Sequence, residues 1–538
     1  MRRTVAAAVV GLGLVATACT SAEEGPAKED EQPDFAFLSD ARLATSNAAS
    51  AWGEAVGAAQ LASRVYPALY LPGPAGQMIP NSDLAQVEYF EPDDAHPGAH
   101  VDVTLTEQAR FSDGTPVTCD DYLLSYTAGI LPTTFGSHMP LAGDIAQLEC
   151  APQAKRFSVW FNPDAGARWR HLFGPGTVLP AHAVAQRAGL SVEELNAALH
   201  TQDPTQLGDV AKTWREGFST EPGHFDPELQ VSFGPYSIDR VEDSGAVVLK
   251  ANPEYYGDKP ELEQIVMWPD TADADALVAA GELRVAEAPV KSPEWVDRNA
   301  EGNPFEITSA VGALTDTLTF SDAGVFAQPW ARQAFAACVD TAALAKASSE
   351  ASGVEVPAVS VRTVRHDDPV AAQVAAADAA PAGAAEDLGG TTVGVGYLGP
   401  NPRLKKMVEQ LRTACTPAGI TVEDRSGEDV SRGQLAADPA TGLPGIDIYL
   451  GPVDPLNEYS APAASVKNAK ALREEEKKLW EELPSIPVAA QPRNFVVDRA
   501  VSGVVPYTGP AGIGWNLERW SATRSTSNTT NAEAKEES

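Results

Sequence analysis

Residues 233–260 read FGPYSIDRVEDSGAVVLKANPEYYGDKP, and this stretch does most to decide the fold. Tyr236 and Ile238 alternate with polar residues, which is the two-residue period of a half-buried strand. The turn-forming triplet Asp-Ser-Gly follows at 243–245, and the largely apolar run at 247–250 leads back. The stretch therefore predicts a β-hairpin.

A second regular segment, VDVTLTEQARFSDGTPVTCDDYLLSY, occupies residues 101–126. Its first five residues alternate between apolar and polar, as in a strand. The pair Asp-Gly at 113–114 predicts a tight turn, because glycine adopts positive φ without strain. Thr118 is placed to cap a helix, and Asp121 completes an arrangement like a capping box.

The second half of the chain shows a different pattern. Residues 392–398 form a buried apolar run, and residues 401–415 carry their apolar side chains on one helical face. A further apolar run follows at 420–422. Strand, helix and strand within about thirty residues indicate a βαβ unit with parallel strands. The fold class is therefore mixed α/β, with more than one sheet.

Composition limits the function classes. The chain has 538 residues, 43% hydrophobic and 21% charged, which is typical of a globular protein of two to four domains. Acidic residues outnumber basic ones 74 to 39, and the formal net charge is −35. Such a surface repels nucleic acids and anionic lipid headgroups, so no nucleic-acid partner is expected.

The N-terminus has the pattern of an export signal. Arg2 and Arg3 precede an apolar run at 5–18 that is too short to cross a bilayer. The sequence Ala-Thr-Ala-Cys that ends at Cys19 is typical of a lipoprotein cleavage site. We therefore expect a signal peptide at 1–18, a diacylated Cys19 and no other membrane anchor, while cleavage without lipidation is the alternative.

The remaining cysteines suggest an oxidising compartment. They are Cys119, Cys150, Cys338 and Cys415, and none forms a C-x-x-C motif. An even number favours two disulfides, for which three connectivities are possible. The simplest is sequential, Cys119–Cys150 and Cys338–Cys415, and four buried thiols remain the alternative.

The segments at 101–126 and 233–260, with weaker matches at 276–283 and 330–344, together resemble the bacterial extracellular solute-binding proteins of family 5. These are the dipeptide, oligopeptide and nickel binders of ABC importers. The resemblance implies an α/β, two-lobed periplasmic-binding-protein-like fold (type II, large family 5 variant) with an extra subdomain in the first lobe. It further implies a monomer that binds a small solute in a cleft and delivers it to permease and ATPase subunits.

The resemblance and the composition together give a domain plan. A disordered linker at 19–34, lipid-anchored through Cys19, would precede the first lobe, which takes residues 35–268 and 487–522. The second lobe would take residues 269–486, and a polar, disordered tail would follow at 523–538. The protein would lie at the extracytoplasmic face of the bacterial cell membrane.

The resemblance also suggests which residues touch the solute. In peptide binders of this family an aspartate beside an aromatic residue binds the ligand ammonium. Here Tyr449 takes the aromatic place, but Pro452 stands where the aspartate is expected, and Asp454 follows two positions later. The candidate ligand-binding residues are Tyr449, Gly451, Asp454, Asn47, Ser50, Trp52 and Tyr126.

Other functions have weaker support. Residues 93–100 contain two aspartates and two histidines, but Pro97 breaks the helical spacing that would bring both histidines to one metal ion. No catalytic motif of a serine hydrolase, zinc protease or P-loop NTPase is present. We therefore expect neither an enzyme nor a metal or other cofactor. A binder of a nickel complex or another non-peptide solute, a sensor or receptor, and a hydrolase remain alternatives.

Overall fold

The computed structural model describes residues 34–522, except for residues 75, 95, 376–382 and 467. The predictions of a signal peptide, a lipid anchor at Cys19 and a C-terminal tail concern residues outside this range, as does nearly all of the predicted linker. Within the described part of the chain, no helix combines the length and the apolar character that crossing a bilayer requires.

The strands are distributed along the whole described chain. They are β1 (Ala36–Leu38), β2 (Tyr70–Pro72), β3 (Met78–Pro80), β4 (Ala85–Phe90), β5 (His100–Leu105), β6 (Ile145–Glu149), β7 (Arg156–Phe161), β8 (Tyr236–Val241), β9 (Val247–Ala251), β10 (Gln264–Trp268), β11 (Leu283–Glu287), β12 (Phe305–Phe320), β13 (Thr392–Gly396), β14 (Thr421–Asp424), β15 (Ile448–Val453), β16 (Ser485–Asp498), β17 (Val501–Ser502) and β18 (Ser521–Ala522).

The α-helices are mostly short and lie between the strands. They are α1 (Ala51–Ala55), α2 (Ala59–Ala62), α3 (Cys119–Ile130), α4 (Pro132–Phe135), α5 (Ala181–Arg187), α6 (Val192–Thr201), α7 (Gly208–Glu216), α8 (Ala274–Ala279), α9 (Pro329–Ala336), α10 (Thr341–Ser352), α11 (Ala371–Val374), α12 (Pro402–Cys415), α13 (Pro455–Glu458) and α14 (Ala469–Glu482).

A large mixed sheet has the strand order β14-β13-β15-β12-β16-β11-β1-β10-β9-β8. The predicted hairpin is confirmed as the antiparallel pair β8–β9, with Tyr236 opposite Ala251. The predicted βαβ unit is also confirmed, because α12 connects the parallel strands β13 and β14. The alternation of apolar and polar residues was therefore sufficient to identify the hairpin, and the apolar runs were sufficient to identify the βαβ unit.

A smaller antiparallel sheet, β4-β5-β7-β6, forms the extra subdomain. Its neighbour α3 begins with the predicted capping box, in which Thr118 and Asp121 each bind the other's backbone. Asp121 also accepts a hydrogen bond from the Ala181 backbone at 2.8 Å. Burial raises the pKa of this carboxyl to about 7 against the effect of these hydrogen bonds.

Two large hydrophobic clusters divide the buried residues. The first contains residues of the small sheet, of helices α3–α7 and of one face of the large sheet, and it also includes Trp520 near the end of the described chain. The second packs α9, α10 and α12 against β13, β15 and the first half of β16. The chain is accordingly two-lobed, which is the fold class that the sequence predicted.

A third, smaller cluster joins α8 and β11 to β1. Ala36 and Leu38 of β1 pack there against Leu277 and Leu283, while Phe37 points into the first large cluster. The segment 274–305, which the sequence assigned to the second lobe, thus packs against the first strand of the chain.

Two long strands connect the large clusters. β12 and β16 pair antiparallel from Phe305↔Asp498 to Thr319↔Ser485, with register shifts between Val311 and Thr315 and between Asp316 and Thr317. At its far end β16 also pairs with β11, while β12 pairs with β15.

The structure contains both disulfides of the sequential pairing. Cys119–Cys150 joins the start of α3 to the end of β6, and Cys338–Cys415 joins the segment after α9 to the end of α12. Each disulfide lies within one of the two large clusters.

Candidate functional site

A cavity of about 870 Å³ lies between the two lobes. This volume is in the upper part of the range of about 300–1,000 Å³ that small-molecule sites occupy. Aromatic and charged side chains from both lobes line it. The aromatic ones are Tyr70, Tyr126, Phe173, Trp295, Tyr449 and Tyr507.

Four of the predicted ligand-binding residues line this cavity, namely Tyr126, Tyr449, Gly451 and Asp454. Tyr449 and Gly451 lie on β15, and the Tyr449 ring packs over Gly451 so closely that a Cβ there would lie 2.5 Å from ring atom Cε1. A glycine is therefore required for this ring position. Burial raises the pKa of the Tyr449 hydroxyl, which remains protonated.

Asn47, Ser50 and Trp52 do not line the cavity. Asn47 is fully buried; its side-chain nitrogen donates to the Trp214 carbonyl at 2.8 Å. Ser50 caps α1 by accepting a hydrogen bond from the Gly53 backbone at 2.8 Å. The polar groups of Asn47 and Ser50 are thus engaged in local folding contacts, and the neighbouring Glu54 reaches the cavity instead.

Asp454 lies in the cavity wall, but its carboxylate already has a cationic partner. Arg365 donates to it from Nε at 3.1 Å and from Nη2 at 2.8 Å, a bidentate arrangement. The carboxylate also caps α13 by accepting from the Leu456 backbone at 3.2 Å. Burial acts to raise the pKa of Asp454, yet Arg365 outweighs it and the pKa lies below its usual value.

Further basic groups surround this ion pair. Burial lowers the pKa of Arg168 to about 10, so its guanidinium stays charged at neutral pH, and Asp454 and Asp144 act on it from nearby. Burial also lowers the pKa of His171 to about 4, which leaves this ring neutral. The surroundings of Asp454 are therefore electropositive.

A buried network fixes the chain segment that carries Arg365. Three residues earlier, Arg362 donates to Glu476 at 3.2 Å and to the Ser485 carbonyl at 2.9 Å. Glu476 also accepts from the backbones of Arg362 and Thr363 at 2.8 and 2.9 Å. Both charged side chains are completely buried.

Polar contacts join the two lobes beside the cavity. Arg168, from the first lobe, donates to the carbonyl of Pro455 at 2.6 Å and to the carbonyls of Thr363 and Tyr459. His171 lies 3.1 Å from the Asn457 side-chain oxygen. These contacts hold the residues around Asp454 against the first lobe.

A charge network adds to this interface. Glu458 binds His138 at 2.8 Å and Arg432 at 3.1 Å, and Arg432 also binds Glu54 at 3.0 Å. Burial acts to raise the pKa of Glu458, but Arg432 and His138 lower it to about 2. Burial acts to lower the pKa of His138, but Glu458 outweighs it and raises that pKa above its usual value.

A third cluster of charged residues lies on β11 and β16 and just after β1 and β10. Arg493 of β16 contacts Glu287 and also Asp40, the latter at 3.3 Å. Arg42 pairs with Asp270 at 3.3 Å, and all five residues line the cavity. Sequence reasoning missed the cavity arginines, because no local pattern distinguishes them from surface arginines and their partners are remote in sequence.

Comparison with known proteins identifies the family. Residues 84–438 match the bacterial extracellular solute-binding proteins, family 5, in their middle region. The chain belongs to this family. An uncharacterized lipoprotein of Mycobacterium tuberculosis is 30% identical over 535 residues, which cover 91% of this chain and 93% of the relative.

Solved structures show the same family 5 fold. The oligopeptide-binding protein of Thermus thermophilus, complexed with a pentapeptide, aligns with a TM-score of 0.65 at 13% identity, covering 91% of this chain and 96% of that one. The PBP AgaA from A. tumefaciens R10, in complex with agropinic acid, aligns with a TM-score of 0.64 at 16% identity, covering 91% and 98%. These are binding proteins, not enzymes.

The family includes metal binders, so groups of possible metal ligands among the described residues are of interest. Cys119, Asp120 and Cys150 lie within reach of one another, but the two sulfurs form a disulfide and offer no thiolate. His96 is exposed and lies 3.3 Å from Asp93, while His100 stacks between Phe90 and Trp160. Both histidines contact Trp160, His96 with a ring-centroid distance of 5.2 Å and His100 with one of 4.1 Å.

Proposed function

We propose that this chain captures a short peptide in the cavity between its lobes and delivers it to the permease of an ABC importer. The observation that carries the proposal is the cavity itself, about 870 Å³ in volume with aromatic walls and polar groups from both lobes. A site of this kind encloses most of its ligand and fixes its orientation by a few polar contacts.

The lobes close on the solute by bending of the ribbon formed by β12 and β16. We place the boundary between the lobes at this ribbon, because residues 274–305 pack against β1 and residues 318–320 pack in the second large cluster. The contacts of Arg168 and of Glu458 then stabilise the closed form. Solute binding favours that form, which the permease recognises.

Anchoring at the outer face of the cell membrane rests on Cys19. Acyl chains on this cysteine would hold the chain at the membrane, and residues 19–34 would act as a tether. The description of the M. tuberculosis relative as a lipoprotein supports this part of the proposal.

The peptide assignment is supported by the pentapeptide that the T. thermophilus protein binds on the same fold. Native mass spectrometry of a soluble form that begins after Cys19, followed by denaturing release, tests it. We expect a family of masses that matches short peptides. A single non-peptide mass, or a metal complex, would contradict the peptide assignment.

A matched pair of variants tests whether the solute occupies this cavity. Gly451→Ala places a Cβ 2.5 Å from the Tyr449 ring and should displace that ring and reduce the amount of released solute. Gly143→Ala is the control, since a Cβ there meets nothing within 4 Å. Equal amounts of solute from two equally folded variants would place the binding site elsewhere.

A further inference from the structure

Part of the hydrogen-bond donor capacity of the Arg365 guanidinium is not used by Asp454. Two of its three guanidinium nitrogens, Nε and Nη2, donate to Asp454. Within the described residues, no carboxylate or carbonyl accepts from the third nitrogen, Nη1, and the guanidinium otherwise faces the Tyr507 hydroxyl. Because Arg365 lines the cavity, this nitrogen is available to a solute.

Tyr507 supplies a second donor at the same place. Tyr507 is 3% exposed and lines the cavity; its hydroxyl oxygen faces Arg365, and its proton has no acceptor within the described part of the chain. Burial raises the pKa of this hydroxyl to about 12 even though Arg365 acts to lower it, so the proton stays on. Arg365 is a cation without an acceptor atom, so it cannot receive this proton.

The two donors are held in place before a solute arrives. The bidentate contact with Asp454 fixes the plane of the Arg365 guanidinium, and Asp454 is itself fixed as the cap of α13. The network of Glu476 fixes residues 362 and 363, which precede Arg365 by three and two positions. Such preorganisation lowers the entropy that binding costs.

An ammonium group would be poorly placed here. The Asp454 carboxylate is already neutralised by Arg365, and Arg168 acts on it as a second cation. A solute ammonium at Asp454 would lie close to both guanidinium groups and would be repelled by them. Two donors whose protons have no acceptor in the described part of the protein, one of them charged, instead match an oxyanion.

We propose that Arg365 and Tyr507 bind a carboxylate of the solute, and that Asp454 orients Arg365 and does not bind an amine. The proposal rests on the proposed function as a solute binder and names the part of the solute that is recognised. For a peptide, it predicts that the acidic end or an acidic side chain is required and that the free N-terminus is not.

Peptides with modified ends test the proposal directly. A peptide identified by release is synthesised in three forms, with free ends, with an acetylated N-terminus and with an amidated C-terminus, and any acidic side chain is replaced by its amide in a fourth. Loss of the recognised carboxylate should weaken binding in calorimetry by about tenfold or more, the usual range for a charged hydrogen bond. Acetylation should change the dissociation constant by less than about threefold.

The variant Tyr507→Phe assigns the effect to this place. It should weaken binding of the carboxylate form by about fivefold and leave binding of the amide form unchanged. Tyr397→Phe is the matched control: Tyr397 is equally buried, but its hydroxyl donates to Asp424 at 3.0 Å and it does not line the cavity. This control should not change affinity.

With a peptide solute, two results would overturn the proposal: equal binding of the acid and amide forms, or loss of binding on acetylation. If no peptide binds, the peptide assignment fails and a second experiment decides the question. Phenylacetate, succinate and hippurate are then compared with their amides by thermal shift. Stabilisation by an acid but not by its amide supports carboxylate binding, and the absence of stabilisation by all three acids overturns it.

Discussion

Two arginine–carboxylate pairs, whose arginines lie three residues apart in the sequence, have different roles. Arg362 and Glu476 are both completely buried, and every guanidinium nitrogen of Arg362 has an acceptor in the protein. Arg365 and Asp454 lie in the cavity wall, with side chains that are 11% and 3% exposed, and Nη1 of Arg365 has no carboxylate or carbonyl acceptor among the described residues. The chemistry of the two pairs is the same, so the difference in role comes from whether hydrogen-bonding capacity remains unused.

The largest effect is expected from breaking the buried pair. Glu476→Gln leaves the Arg362 cation buried without a charged partner, which typically costs about 3–5 kcal/mol of stability. Urea unfolding measures this loss. Because the Glu476 network also holds the segment that carries Arg365, the solute affinity of the remaining folded protein should fall, but by no more than about threefold. A variant that is stable but fails to bind solute would remove the distinction between the two pairs.

Acid should weaken the interface between the lobes through Glu458. Its folded-state pKa of about 2 lies below the usual value of about 4.5, so its contribution is present above about pH 4.5 and is lost as the pH falls toward 2. Two and a half pKa units correspond to roughly 3 kcal/mol as an upper limit. Between pH 5 and pH 3, the free energy of unfolding of the wild type, measured by urea denaturation, should fall more than that of Glu458→Gln. Parallel plots of this free energy against pH would contradict the assignment.

The cavity pair is tested by Asp454→Asn. The amide still caps α13, but it removes the counter-charge of Arg365, so we expect a loss of about 1–3 kcal/mol in stability. If Asp454 only orients Arg365, affinity for a carboxylate solute should fall by no more than about fivefold. Complete loss of binding, with a folded protein, would restore Asp454 as the ligand for an ammonium group.

The smallest effect concerns a residue that the sequence assigned to the site. Asn47→Ala removes two hydrogen bonds inside the first lobe, one to the Trp214 carbonyl and one from the Ala49 backbone, and should cost about 1–3 kcal/mol. Chemical denaturation measures this cost. Solute affinity should be unchanged, because the side chain does not line the cavity; a large drop in affinity would place Asn47 in the site after all.

The elements that depend on neighbouring residues were predictable from the sequence. The hairpin of β8 and β9 and the unit of β13, α12 and β14 follow from periodicity, turn residues and caps within about thirty residues. Sequential pairing of the cysteines could be proposed because each pair falls within one lobe.

The chemistry of the cavity was predictable only in part. Tyr449, Gly451 and Asp454 lie on or directly after one strand, so a resemblance in that stretch could place them together. Arg365 lies 89 residues from Asp454, and Arg168 lies 287 residues from Pro455. A charge partner this far away in the sequence decides whether a carboxylate is already paired or can bind a solute. The local sequence around the carboxylate gives no signal of that partner.

The position of the two disulfides has a consequence for how durable the protein is outside the cell. Each cross-link stays within one hydrophobic cluster, and neither spans the cavity. Oxidation therefore reinforces each half against unfolding without tying the halves together. Reduction of the disulfides should therefore weaken each half separately and leave the contacts between the halves in place.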